Sequence, residues 1–171
     1  YIPCDTLLLS VGLIPENELT LQAGIGMDVV TGGAVVDQDR QTSREGIFTC
    51  GNVLHVHDLV DFVSEEAAVA GKSAAEYIRG ESGQECDIPI GADGKIRYTV
   101  PQRITKRKDI TLFFRVADIY RNVKINVVGD GRVIHSVRKP KAAPGEMESL
   151  LLKAPLFEGV SKLSLQLEEL G

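Results

Sequence analysis

The sequence predicts an α+β chain: a mixed helix-and-strand first half followed by an antiparallel, sandwich-like second half. Three observations predict it. Residues 6–11 form a continuous apolar run ending at Gly12, the pattern of a strand buried on both faces. Residues 64–79 carry Ala67, Ala68, Ala70, Gly71, Ala74, Ala75 and Ile78, a small-residue face suited to tight packing of a helix on a sheet. From Lys95 onward, short runs with some alternation recur at regular spacing, with turn signals between them and no helical stretch.

The elements follow in order. After the run at 6–11, Gly12-Leu-Ile-Pro15 turns the chain and residues 16–21 suggest one helical turn. Residues 34–37 and 47–50 read as short strands, and the helix at 64–79 ends at Gly80-Glu-Ser-Gly83. Glu65 and Glu66 then fall in the first turn of that helix, where they complement its dipole. The second half offers runs at 95–100, 110–116, 123–128, 132–137, 149–152 and 163–167. Gly129-Asp-Gly131 between two of them is a hairpin signal. Gly91-Ala-Asp-Gly94, residues 140–145 and Glu158-Gly159 supply the other turns.

Charge divides the chain in the same place. Residues 1–86 hold 4 Lys and Arg against 14 Asp and Glu, whereas residues 87–171 hold 15 against 10. Two modules, 1–86 and 87–171, are expected. The basic residues Arg103, Lys106, Arg107, Lys108, Arg138, Lys139 and Lys141 read as solvated loops, or as a surface for an acidic partner subunit or for the acidic first half. Nucleic acid is not expected as a partner, because the whole chain is acidic and no aromatics interleave with the basic residues. No apolar run approaches the roughly 20 residues that span a bilayer. Cys4, Cys50 and Cys86 are odd in number, widely spaced and form no C-x-x-C, as expected of reduced cytoplasmic thiols.

The chemistry concentrates in residues 42–63. A strand at 47–50 that ends in Gly51-Asn52 puts a polar group at the carboxyl edge of a sheet, where open α/β sheets bind ligands. Gly51 allows close approach to the backbone, and the following helix can aim its N-terminal N–H groups at an electron-rich group. His55 and His57 with Asp58 or Asp61 offer a metal reading, although H-x-H is a frequent pattern and His135 stands alone. Cys50 has no cationic neighbour in sequence and reads as structural. No catalytic residue is assigned.

Thr42, then Cys50-Gly51-Asn52, resembles the second flavin-binding motif of the FAD-dependent pyridine nucleotide–disulfide oxidoreductases, the thioredoxin reductase-like and NADH oxidase-like flavoproteins. Asn52 stands where that family usually has Asp. Residues 4–19 are similar to the family's last NAD(P)-domain strand and the Gly-x-x-Pro-Asn turn that leads back into the FAD domain, with Glu16 in the place of the Asn. The resemblance covers about residues 4–79. It implies an incomplete Rossmann-like FAD/NAD(P)-binding portion, with Gly51, Asn52, Val53 and the backbone of Asp61, Phe62 and Val63 as FAD-site residues; Gly12 reads equally as a residue that approaches the cofactor between the two dinucleotide domains and as a turn glycine. His55 and His57 read first as surface loop histidines and second as groups that tune the flavin or pass protons.

The resemblance also implies NAD(P)H as co-substrate, FAD as cofactor and an electron acceptor that the residues do not specify. Neither G-x-G-x-x-G phosphate loop of the family occurs in the chain, nor does the redox-active cysteine pair. The expectation is therefore a C-terminal fragment of a longer flavoenzyme, inactive by itself, whose unpaired edges and apolar faces either drive self-association or make residues 1–86 rearrange. The alternative is a non-catalytic module that docks a partner through residues 87–171, and a small metal hydrolase on the His55/His57 loop ranks last.

Overall fold

The computed structural model describes residues 1–81 and 83–170. Two α-helices, α1 (Glu18–Gln22) and α2 (Val60–Ile78), lie in the first half with a short 3-10 turn at Gly51–Val53. All eight strands among the described residues follow them: β1 (Ile88–Ala92), β2 (Ile96–Val100), β3 (Arg103–Ile104), β4 (Ile110–Val116), β5 (Tyr120–Gly129), β6 (Arg132–Ala142), β7 (Glu148–Leu152) and β8 (Leu163–Glu169). No helix among the described residues is long and apolar enough to cross a membrane.

The strands make two sheets, ordered β3-β1-β8-β5-β6 and β2-β4-β7. Every pairing is antiparallel except β1 with β8, which run parallel. Alternation explains the packing: Ile110, Leu112, Phe114 and Val116 of β4 face Val123, Ile125 and Val127 of β5 and Leu163, Leu165 and Leu167 of β8 in one buried core. The β5–β6 hairpin closes where Gly129 pairs with Arg132. Asp130 and Gly131 both take positive φ, +46° and +82°, as a two-residue turn that follows strand twist requires.

Two strands escape the sequence reading. In β1, Pro89 and Gly91 are poor strand residues, yet Ile88 and Ile90 are buried and the segment is held between β3 and β8. The turn instead falls on Asp93-Gly94, where the Asp93 carboxylate accepts the backbone N–H groups of Lys95 and Ile96. β3 is too short to show alternation. β6 runs past Pro140 to Ala142, where a turn was expected.

The first half departs further. Residues 6–11 form no strand and every one of them is exposed, because no strand among the described residues lies beside them to accept a ladder. The segments at 34–37 and 47–50 are reduced to single bridges, Met27 with Ala34, Val36 with Thr42 and Gln41 with Phe48. Helix α2 begins at Val60, four residues before the expected start. Of its expected stop, Ser82 lies outside the described residues, while Gly80 takes the left-handed φ of +74° and its N–H reaches the Tyr77 carbonyl.

A second core joins the halves. Ile25, Ala34, Val36 and Leu54 pack against Tyr98, Val100 and Phe113 on the outer face of the three-stranded sheet. Lys106 and Lys108 both bind the buried Asp39 carboxylate, so part of the basic charge of the second half is used on the acidic first half. Thr105 and Gln38 add side-chain hydrogen bonds across the same seam.

Candidate functional site

The turn-and-helix stretch at 50–63 is organised around one buried carboxylate. Cys50 is extended, and Gly51 then turns with φ of +74°, a conformation that favours glycine. A Cβ on Gly51 would also lie 3.3 Å from the Val63 side chain, so the absence of a side chain lets the turn sit against α2. The Gly51 N–H donates to Glu66 Oε2 at 2.8 Å. His57 Nε2 meets the same oxygen at 2.9 Å, while His55 Nε2 and Arg40 Nε meet Oε1 at 3.1 and 2.9 Å.

Glu66 lies in the second turn of α2, not the first, and shares its buried face with Ala70 and Ser73 at the spacing of one helix side. The acid in the first turn is Asp61. Glu66 thus acts as a buried acceptor with four partners rather than as a surface complement to the helix dipole. The signal in the sequence was its place on the small-residue face, where an unpaired charge could not be buried.

Burial pushes the Glu66 carboxyl up, but the hydrogen bonds of His55 and His57 and the charge of Arg40 outweigh it and hold the group well below the usual carboxylate range. Burial pushes His55 down despite its bond to Glu66, favouring the neutral ring. The His55 and His57 Nε2 atoms, the Arg40 guanidinium and the Gly51 amide together satisfy both oxygens of Glu66⁻, and Arg40⁺ balances its charge.

His55, His57 and Glu66 also have the composition of a metal-binding triplet, their ligand atoms lying within 4.8 Å of one another. The surroundings suit a metal poorly. Metal-bound imidazoles donate their second N–H to a partner, and here both Nδ1 atoms are buried with none. Arg40 already neutralises the carboxylate, so a divalent ion would bury net positive charge. Of the ligands expected with the histidines, Asp58 bonds Arg115 and the Met147 N–H instead, and Asp61 is exposed.

Outward from this cluster lie the other residues expected at a ligand site. Asn52 is exposed. Its Oδ1 accepts the His57 N–H at 3.1 Å, which leaves the amide N–H2 without a hydrogen bond among the described residues. The Val53 carbonyl accepts from Asn17 Nδ2 at 2.8 Å, a half-buried tie to the start of α1 that sequence reasoning missed. Asp61, Phe62 and Val63 lie in the first turn of α2, whose N-cap Leu59 offers no side-chain hydrogen bond. Val53, Leu59 and Val60 expose apolar side chains on the same stretch. Gly12 stands apart, with open space around it on the exposed N-terminal segment.

Burial and the Glu66 charge raise the Cys50 thiol, which leaves it a poor nucleophile near neutral pH. Two clefts lie elsewhere. One of about 370 Å³ is lined by Asp37, Thr42, Tyr77, Arg103 and Lys106, and one of about 410 Å³ by Asp28, Asp93, Tyr98 and Gln102.

The geometry at 50–63 is that of a glycine turn leading into an uncapped helix with a free amide beside it, a class of arrangement found at ligand edges of α/β domains. Residues 1–74 match the family described as pyridine nucleotide-disulphide oxidoreductase, and the match includes this whole stretch. The strands β1 to β8 lie outside it. Neither curated proteins nor solved structures offer a match to the chain.

Proposed function

We propose that the chain supplies the closing part of an FAD site in a pyridine nucleotide–disulphide-type oxidoreductase that passes electrons from NAD(P)H through the flavin to an acceptor. The observation that carries this is the Gly51–Val53 turn set against the uncapped first turn of α2, inside the stretch that matches the family.

The residues present suit the group. The Asn52 amide faces no internal acceptor, so it serves as a donor to a ribityl hydroxyl or phosphate oxygen where the family places a carboxylate as acceptor. The N–H groups at the start of α2, around Asp61, Phe62 and Val63, are oriented donors that favour negative charge developing on a reduced ring. Val53, Leu59 and Val60 offer apolar surface to a flat aromatic system. The Glu66 cluster lies beneath and keeps the turn in place. FAD, when bound, supplies the hydride and electron chemistry; the protein groups named here bind and orient.

The chain as it stands lacks a phosphate loop, so the reading predicts that it holds no flavin by itself. Purified material should be colourless, and added FAD should keep its full free fluorescence at micromolar protein. A yellow preparation with one flavin per chain would overturn the assignment of this chain as part of a larger site.

A further inference from the structure

The sandwich reaches into the candidate site through one strand. In β4, Leu112, Phe114 and Val116 point into the sandwich core, so the alternate residues Phe113 and Arg115 must face the first half. Phe113 packs among the rings of His55, His57 and Phe62, at centroid distances of 5.8, 6.2 and 6.5 Å. Two residues on, the Arg115 guanidinium donates through Nη2 to the Val56 carbonyl at 3.0 Å and to the Asp58 carboxylate.

The rest of that guanidinium is held rigidly. Nε donates to the Tyr98 hydroxyl at 3.0 Å and Nη1 to the Pro144 carbonyl at 3.1 Å. Asp58 in turn accepts the Met147 N–H at 2.6 Å through its other oxygen. Burial raises the Asp58 carboxyl, but the Arg115 and Met147 bonds outweigh that and hold it below its ordinary value. The loop between the Gly51 turn and the first turn of α2 is therefore gripped from below by Glu66 and from the side by β2, β4 and the segment before β7.

We propose that Arg115 is a positioning residue for the ligand site: through Val56 and Asp58 it sets where α2 starts relative to the Gly51–Val53 turn, which makes the β-sandwich part of that site's machinery. The role in flavin binding rests on the function proposed above, while the clamp itself rests on geometry alone. A salt bridge on the surface contributes little to stability. This one differs because its arginine is mostly buried and bonds backbone on both sides of the seam, at Val56 and Pro144, while Asp58 accepts the Met147 N–H across it.

The test uses the flavin-loaded protein that contains this chain, with Arg115→Met, Arg115→Lys, Asp58→Asn and, as a surface control, Arg121→Met. Amide hydrogen exchange across 55–63 should quicken at least tenfold in Arg115→Met and Asp58→Asn while β5 and β8 keep their protection. In the same variants FAD should bind at least tenfold more weakly, with Arg115→Lys recovering most of both effects and Arg121→Met unchanged.

Asp58→Asn removes the charge and leaves one acceptor oxygen for two donors, Arg115 and the Met147 N–H, without emptying the space beside Tyr98, and it carries the test if Arg115→Met fails to fold. Unchanged exchange at 55–63 would overturn the proposal. So would exchange that quickens equally in β5 and β8, which marks plain unfolding, or FAD binding that stays at wild-type strength while the loop loosens. If the wild-type protein carries no flavin, the functional reading falls and the exchange measurement alone decides whether the clamp exists.

Discussion

Glu66 decides more at this site than any other single residue. It receives the Gly51 amide, two imidazoles and a guanidinium, all buried with it. Its carboxyl is ionised further down the pH scale in the fold than in an unfolded chain. The stabilisation is therefore complete above the ordinary glutamate value of about 4.3 and is lost as pH falls through the lowered folded value. His55 acts in the same direction. Its neutral ring is favoured in the fold, so acid below the ordinary histidine value of about 6.5 begins to favour the unfolded chain. Glu66→Gln keeps the shape but removes the charge opposite Arg40 and turns two N–H donors toward donors. It should cost about 2 to 4 kcal/mol at neutral pH and flatten the acid side of the stability profile, as chemical denaturation between pH 3 and 8 would measure. A stability curve parallel to wild type across that range would contradict the account.

Among the elements, β4 is the one that belongs to both cores. Its inward residues were legible in the sequence, since alternation from Ile110 to Val116 is plain and the observed strand has the expected bounds. What alternation alone does not reveal is that the outward face is also buried. Phe113 is 7 % exposed, packed against His55, His57 and Phe62 and beneath the Arg40 guanidinium. Phe113→Ala should cost about 3 to 5 kcal/mol and should release the two histidine rings while the sandwich core keeps its packing. The histidine Cε1–H resonances would shift toward free-solvent positions, and methyl signals of Leu112's inward neighbours would not. Helix α2 carries the complementary lesson. Its small-residue face was readable as a packing face, but its start was not, because the N-cap position is Leu59, which has no side-chain group to cap the helix.

For the whole molecule, the two halves are unequal in what they can bury. The sandwich core draws its buried members only from residues 88–167. The first half has Ile25, Ala34, Val36 and Leu54, and these need Tyr98, Val100 and Phe113 to be covered. We expect residues 85–170 to fold alone with a cooperative thermal transition, and residues 1–86 alone to show none. Cooperative melting of the isolated first half would refute this. The intact chain also leaves Leu7, Leu8, Leu9, Val11, Leu13 and Ile14 exposed in one continuous segment, with Leu19 and Leu21 nearby in sequence. That surface is consistent with the expected self-association, which sizing at several concentrations would detect and which removal of residues 1–14 should abolish.

By itself the sequence determined the local elements whose pattern is its own evidence: the alternating strands, the Gly129–Gly131 hairpin, the small-residue helix and the glycine turn at the candidate site. These depend on contacts between near neighbours or on a face repeated at fixed spacing. The tertiary structure alone decided that residues 6–11 have no sheet to join, that Pro89 and Gly91 belong to a strand, and that Arg40, His55, His57 and Glu66 meet in one buried cluster. It also decided that Arg115, 57 residues after Asp58, grips the loop above that cluster. The physical reason is the same in each case. A backbone ladder or a buried charge is favourable only when its partner arrives, and partners from distant parts of the chain leave no periodic mark on the sequence.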